Sequence, residues 1–209
     1  MKERVVNKIV LNIKTKNNNI DGVKVEEIRY GLLGLYSLLT KSTVIIILAF
    51  ILNIYKEFFI FLLFYGILRS LGYGCHAKSN LYCWLYSTLL LLGIPYTFNN
   101  INISFTLKII LWSCLFLDYL IFCPADTEKR PMINKVRKLK FKVAILLVSL
   151  VYLFFIIKYD NISNLIIGAM LLQGILVNPL GYILMGQKVR FKLNDINLFK
   201  QNRSEVWLC

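Results

Sequence analysis

The chain has 209 residues, 57% of them hydrophobic, and a mean hydropathy of +0.62. Soluble domains hold roughly 45–50% apolar residues, and several runs here approach the roughly 20 apolar residues a helix needs to cross a bilayer, so an ordinary soluble protein is excluded. The formal net charge of +14 would suit nucleic acid, but the basic residues gather between apolar runs, as they do in cytoplasmic loops, and this argues against that partner.

Residues 1–30 are polar and charged, with no compact apolar core before a small-residue cleavage site, so no cleavable signal peptide is expected. Val5, Val6, Ile9, Val10 and Ile13 recur at helical spacing among Lys2, Arg4, Lys8 and Lys14. That pattern predicts an amphipathic helix lying on the anionic inner leaflet of the bilayer, the alternative being a solvated basic tail. Asn17, Asn18 and Asn19, then Asp21-Gly22, mark a turn. A second short amphipathic stretch through Glu26, Glu27, Ile28 and Arg29 leads into the first apolar run.

Six spans are expected, at about 33–54, 57–73, 81–98, 103–123, 142–159 and 162–185. The second and third are short, which leaves four spans with re-entrant segments as the alternative. Lys41 falls inside the first span, where it must face protein or snorkel. The predicted fold is all-α: a polytopic membrane bundle of about six transmembrane helices, with residues 1–30 as a membrane-surface segment and 31–209 as a single membrane domain. Of the 25 basic residues, 21 lie in 1–30, 69–80, 125–142 and 186–209, which puts both termini and the loops near residues 76 and 130 on the cytoplasmic side.

The five cysteines, at 75, 83, 114, 123 and 209, are odd in number and lack paired spacing, so no disulfide framework is expected. No cysteine and histidine set has zinc spacing, and neither metal nor cofactor is expected. The lone histidine, His76, stands seven positions before Cys83 in a polar break between the second and third spans. Imidazole suits proton removal from a thiol near neutral pH, and thiolate is the strongest nucleophile among ordinary side chains. On one continuous helix the two would share a face but lie roughly 10 Å apart along the axis, too far for a direct hydrogen bond. Ser79 and Asn80 are favoured N-cap residues. A helix starting there leaves His76 in a loop that can fold back, helped by Gly72 and Gly74, and puts Cys83 in the first turn, where the helix dipole favours thiolate. On spacing alone, structural hydrogen bonding is the commoner role for such a histidine. Cys75 is a rival nucleophile, without help from the dipole.

Farther on, Pro124 and Pro131 bracket a turn at the end of the fourth span, after Asp118. Asp126 can orient His76, or Asp126 or Thr127 can cap the following segment, and capping is the commoner role. The run Lys129, Arg130, Lys135, Arg137, Lys138, Lys140 and Lys142 reads as a positive-inside loop that can also hold an acidic peptide or anionic lipid. Gln173, Asn178 and Pro179 read as helix-packing features in the last span.

These residues resemble the AgrB family, the membrane endopeptidases of Gram-positive peptide quorum sensing. The likeness rests on the basic amphipathic N-terminus, on Glu27-Ile-Arg-Tyr-Gly-Leu32 entering the first span, on the block from Arg69 to Cys83, and on Cys123-Pro-Ala-Asp-Thr-Glu-Lys-Arg-Pro131. Where the family usually has a double glycine before the histidine block, Tyr73-Gly74 stands here. The resemblance implies that Cys83 attacks a peptide bond near the C-terminus of a small AgrD-like propeptide with His76 as base. The tail leaves, and the rest is held as a thioester. A cysteine or serine of the propeptide then closes a thiolactone or lactone ring and frees Cys83. Arg69, Ser79, Asn80 and Asp126 are supporting candidates, and Lys129 and Arg130 are candidates for holding substrate. The resemblance also implies a homodimer in the cell membrane. The rival class is a non-enzymatic peptide transporter, but no internal repeat of the kind transporters favour is apparent.

Overall fold

The computed structural model describes residues 2–16, 22–75, 80–125 and 135–184. Among the described residues there is no strand, and the order is α1 (Lys2–Lys16), α2 (Gly22–Ile51), α3 (Tyr55–Gly72), α4 (Asn80–Asn100), α5 (Phe105–Phe122), α6 (Lys135–Lys158), α7 (Asp160–Val177) and α8 (Pro179–Leu184). The all-α polytopic bundle expected from the apolar runs is what the chain forms. Among the described residues five helices are long and apolar enough to cross a membrane: Lys24–Ile51, Leu81–Asn100, Phe105–Phe122, Lys135–Lys158 and Asp160–Val177. The 18-residue α3 carries three charged side chains, Lys56, Glu57 and Arg69, which lowers its apolar character as a span. Two compact units divide between Asn53 and Ile54.

In the first unit α1 packs against α2. The stretch through Glu26 and Arg29 is not a separate element, and the first span does not begin afresh at residue 33. No proline interrupts the sequence from Gly22 to Ile51, so one 30-residue helix covers both. Within it the hydroxyls of Thr40, Ser42 and Thr43 each donate at 2.9 Å to a carbonyl four residues back, which keeps a polar stretch satisfied at bilayer depth.

The second unit is organised around α7, which packs against α3, α4, α5 and α6. Leu165, Ile166, Ile167, Ala169, Met170 and Leu172 are all buried. The helices around it turn large apolar side chains outward instead, as with Leu147, Leu150, Phe154 and Ile157 of α6. In water such a surface would aggregate; in lipid it is the expected exterior. Polar anchors between helices supply the specificity that apolar contact in lipid lacks. The Tyr119 hydroxyl donates to the Met170 carbonyl at 2.6 Å and the Tyr152 hydroxyl to that of Phe64 at 2.8 Å, while the Trp112 indole donates to the Ser149 carbonyl at 2.9 Å. At the end where α5 and α7 begin, the buried Lys108 ammonium pairs with Asp160 and donates to Ser163 Oγ at 2.7 Å.

Two expectations need correction. The last span does not run unbroken from 162 to 185. Asn178 leaves the helix with φ −66° and ψ 146°, and the six-residue α8 starts at Pro179. The residue before a proline is pushed out of helical geometry, and the proline supplies no N–H to the preceding turn. The basic run is likewise not all loop: α6 starts at Lys135, so Lys135, Arg137, Lys138, Lys140 and Lys142 ride on its first two turns.

Candidate active site

The ends of α3, α5 and α7 meet where α4 and α6 begin. Here α3 stops at Gly72, and Tyr73 takes φ 55° and ψ −140°, a conformation glycine adopts freely and other residues rarely do. A glycine at this point would follow the same path without strain. Gly74, at φ 131°, continues the turn, and a Cβ there would strike the Arg69 guanidinium and lie 2.9 Å from the Leu176 carbonyl oxygen.

A dense set of hydrogen bonds holds this 73–75 strap. Arg69 donates through Nη1 to the Tyr73 carbonyl at 2.7 Å and through Nη2 to the Cys75 carbonyl at 3.1 Å. From α7, Gln173 Nε2 donates to the same Tyr73 carbonyl at 2.7 Å. The Cys75 N–H donates to the Leu176 carbonyl at 3.0 Å. That carbonyl lies at the end of α7, where the break at Asn178-Pro179 stops the helix from continuing in register. The Tyr73 ring packs edge-on against Phe141 of α6 at 5.4 Å.

The segment after α5 is tied to the same place. The Cys123-Pro124 peptide is cis, and the Ala125 N–H donates to the Gly72 carbonyl at 3.0 Å. Asn178 Nδ2 donates to Asp118 Oδ1 at 2.8 Å, joining the ends of α5 and α7. The two chain segments that lead toward His76 and Asp126 are thus bonded to one another. His76, Ser79, Asp126, Thr127, Lys129 and Arg130 themselves lie outside the described residues, as does the side chain of Asn80.

Of the expected site residues, Arg69 and Cys83 are described. With α4 starting at Asn80, Cys83 falls in its first turn, half-buried. Positive partial charge from unpaired N–H groups gathers at that end of a helix. Tyr65, one turn before Arg69 on α3, lies within electrostatic reach of Arg69, Cys75 and Cys83. Cys75 is a different kind of thiol. It is 2% exposed, and burial pushes its pKa up to about 11, with the Arg69 charge and a backbone hydrogen bond only partly opposing the shift. At neutral pH such a group is almost wholly protonated and shielded, which makes it a poor nucleophile. Cys114 is exposed on α5 and Cys123 buried. Among the described residues no cluster of histidine, cysteine or carboxylate side chains could hold a metal ion.

Reading the sequence as helix packing undervalued Gln173, Asn178 and Pro179. Their signal was a polar amide and a helix breaker at the inner end of an apolar run, where unsatisfied groups are costly.

Comparison with known proteins identifies relatives of the chain. The family described as accessory gene regulator B matches residues 3–177. Accessory gene regulator protein B of Staphylococcus aureus strain bovine RF122 / ET3-1 is 27% identical over 165 residues, covering 79% of this chain and 88% of the relative. The protein of the same name from strain Newman is 27% identical over 169 residues, covering 80% and 89% respectively. No solved structure matches the chain. With the match extending from the first helix to the end of α7, through the strap and Cys83, this chain belongs to the accessory gene regulator B family.

Proposed function

We propose that this protein is a membrane cysteine endopeptidase that cuts a small AgrD-like quorum-sensing propeptide and promotes its cyclisation. The observation that carries the reading is the position of Cys83: half-buried in the first turn of α4, at the end of the bundle where the segments leading to His76 and Asp126 are tied together. The burial of Cys75 supports Cys83 as the nucleophile.

In this reading the Cys83 sulfur adds to the carbonyl carbon of a peptide bond near the propeptide's C-terminus as His76 takes the thiol proton. Collapse of the tetrahedral intermediate breaks the C–N bond, and His76 returns the proton to the departing amine. The N-terminal portion stays on Cys83 as a thioester. A cysteine or serine side chain of the propeptide attacks that thioester carbonyl, its own proton passes to the departing sulfur through His76, and the ring closes. A thioester keeps acyl-transfer potential that hydrolysis would discard, and the tethered nucleophile competes with water through its high effective concentration. Membrane-edge placement limits water further. The positive-inside bias puts this end of the bundle in the cytoplasm with both termini, and α1 on the anionic inner leaflet. Lys129 and Arg130 hold the acidic part of the substrate, Asp126 orients His76 or caps its own segment, and the working unit is a homodimer. Residues 1–30 serve as the membrane-surface segment and 31–209 as the peptidase domain.

The test is co-expression with an AgrD-like propeptide, followed by mass spectrometry. His76→Ala and Cys83→Ala should each abolish cleavage while the protein still inserts in the membrane, and alanine at Cys75, Cys114, Cys123 or Cys209 should leave it largely in place. Cleavage by Cys83→Ala would refute the nucleophile.

A further inference from the structure

We propose that Gln173 is a positioning residue of this site: from α7 it fixes the Tyr73 carbonyl and so sets the backbone that leads, three residues later, into His76. The inference rests on the peptidase reading above and deepens it.

Gln173 is completely buried in the most enclosed helix of the bundle. Its Nε2 donates to Tyr73 at 2.7 Å, but its Oε1 is buried with no hydrogen-bond partner. The amide orientation follows from chemistry, because only the NH2 end can face a carbonyl oxygen without repulsion. An unpaired buried amide oxygen is a real cost, which Met or Leu would avoid while filling the same space. What only the amide supplies is the donor. Its target is the residue with the least favourable backbone in the strap, at φ 55° and ψ −140°. Gly72 makes room for it: a Cβ there would lie 2.5 Å from Gln173 Nε2 and 2.8 Å from Ile145 Cδ1. Arg69 also holds Tyr73, but from the helix that the strap itself continues. Gln173 and the Leu176 carbonyl anchor the strap to α7, at two points less than one turn apart. A general base must stand within a few tenths of an ångström of its productive place, and a misplacement of about 1 Å can cost on the order of 100-fold in rate.

The test compares Gln173→Met and Gln173→Glu in full-length protein in isolated membranes given added propeptide at a series of concentrations and pH values, with cleavage normalised to protein inserted in the membrane. A protonated carboxyl keeps an O–H that can donate to Tyr73, whereas Met fills the space and donates nothing. Gln173→Met should lose about tenfold in cleavage rate with substrate affinity unchanged, and Gln173→Glu should stay within about threefold of wild type, the ratio improving as pH falls from about 8 to about 6. A purely packing role predicts the reverse order, since Met suits a buried apolar site better than Glu. Gln173→Met cleaving as fast as Gln173→Glu across that range overturns the inference. If Gln173→Met fails to accumulate, Gln173→Asn replaces it: the amide is kept but drawn back by one methylene, the same loss is expected, and wild-type cleavage overturns the inference. Cys83→Ala runs beside them, and cleavage by that variant would sink the peptidase reading itself rather than the role of Gln173.

Discussion

Replacing Tyr73 with glycine and with alanine separates two effects that the wild-type residue combines. At φ 55° and ψ −140° the backbone of Tyr73 lies outside the regions open to residues with a side chain, a conformation that costs roughly 1–3 kcal/mol. Against this stands its ring, 5.4 Å from Phe141 and nearly perpendicular to it at 73°, an arrangement worth about 0.5–1.5 kcal/mol beyond simple burial. Tyr73→Gly removes the strain and loses the ring, and glycine adds roughly 0.5–1 kcal/mol of backbone entropy lost on folding. These terms offset, so Tyr73→Gly should match wild type in thermal stability to within about 1 kcal/mol and keep its cleavage activity. Tyr73→Ala loses the ring and keeps the strain, which places it roughly 1–2 kcal/mol below Tyr73→Gly. The assay is thermal unfolding of the two variants in one detergent, with propeptide cleavage measured on the same preparations. If the alanine variant equals or exceeds the glycine variant in stability, the strap does not hold Tyr73 at positive φ and the reasoning fails.

Three further outcomes follow from the geometry. Because the Cys75 thiol is buried and its pKa raised to about 11, its alkylation near neutral pH should lag well behind that of Cys83 and climb steadily as pH rises through 9 to 11; mass-spectrometric mapping of iodoacetamide adducts reads both rates, and parity at neutral pH would refute the assignment. Pro179→Ala lets α7 continue, so that the backbone N–H of residue 180 captures the Leu176 carbonyl and leaves the buried Cys75 N–H unpaired; cleavage should fall about tenfold, and an unchanged rate would show that the break is incidental. At the opposite end, Asp160→Ala should destabilise the bundle more than Lys108→Met, since the first leaves a buried ammonium with only Ser163 while the second leaves an exposed carboxylate to solvent; the order of unfolding temperatures decides it.

The apolar runs made the helices legible, because length and hydrophobicity are what the bilayer demands of a span. They could not show which helix lipid never touches. α7 is no more apolar than α6, and the clue to its central place was its content of small and amide residues, Gly168, Ala169, Gln173 and Gly174, which suit close helix contact. The continuity of α2 was missed because a charged stretch followed by an apolar one looks like two elements, although nothing between them breaks a helix. At the site, the start of α4 at Asn80 was legible from a favoured capping residue before an apolar run. The strap was not: no local rule gives a tyrosine a positive φ, and its support comes from Gln173 and Leu176, about a hundred positions along the chain. The same holds for the support of Lys108, whose partners, Asp160 and Ser163, lie two helices away along the chain.

The central place of α7 bears on how the protein is made. The helix that every other member of the second unit packs against is synthesised after all of α3 to α6. Those four enter the bilayer before the helix they all pack against, Lys108 without its counter-ion and Tyr119 without the Met170 carbonyl that receives its hydroxyl. When Tyr159 has been made, α3 can pack on α4 and α6 and α5 on α6, but the helix that joins all four is still missing, and the next eighteen residues supply it in one late step. Quality control in the membrane therefore has one moment to watch, and substitutions in α7 should appear as lost protein before they appear as slow protein.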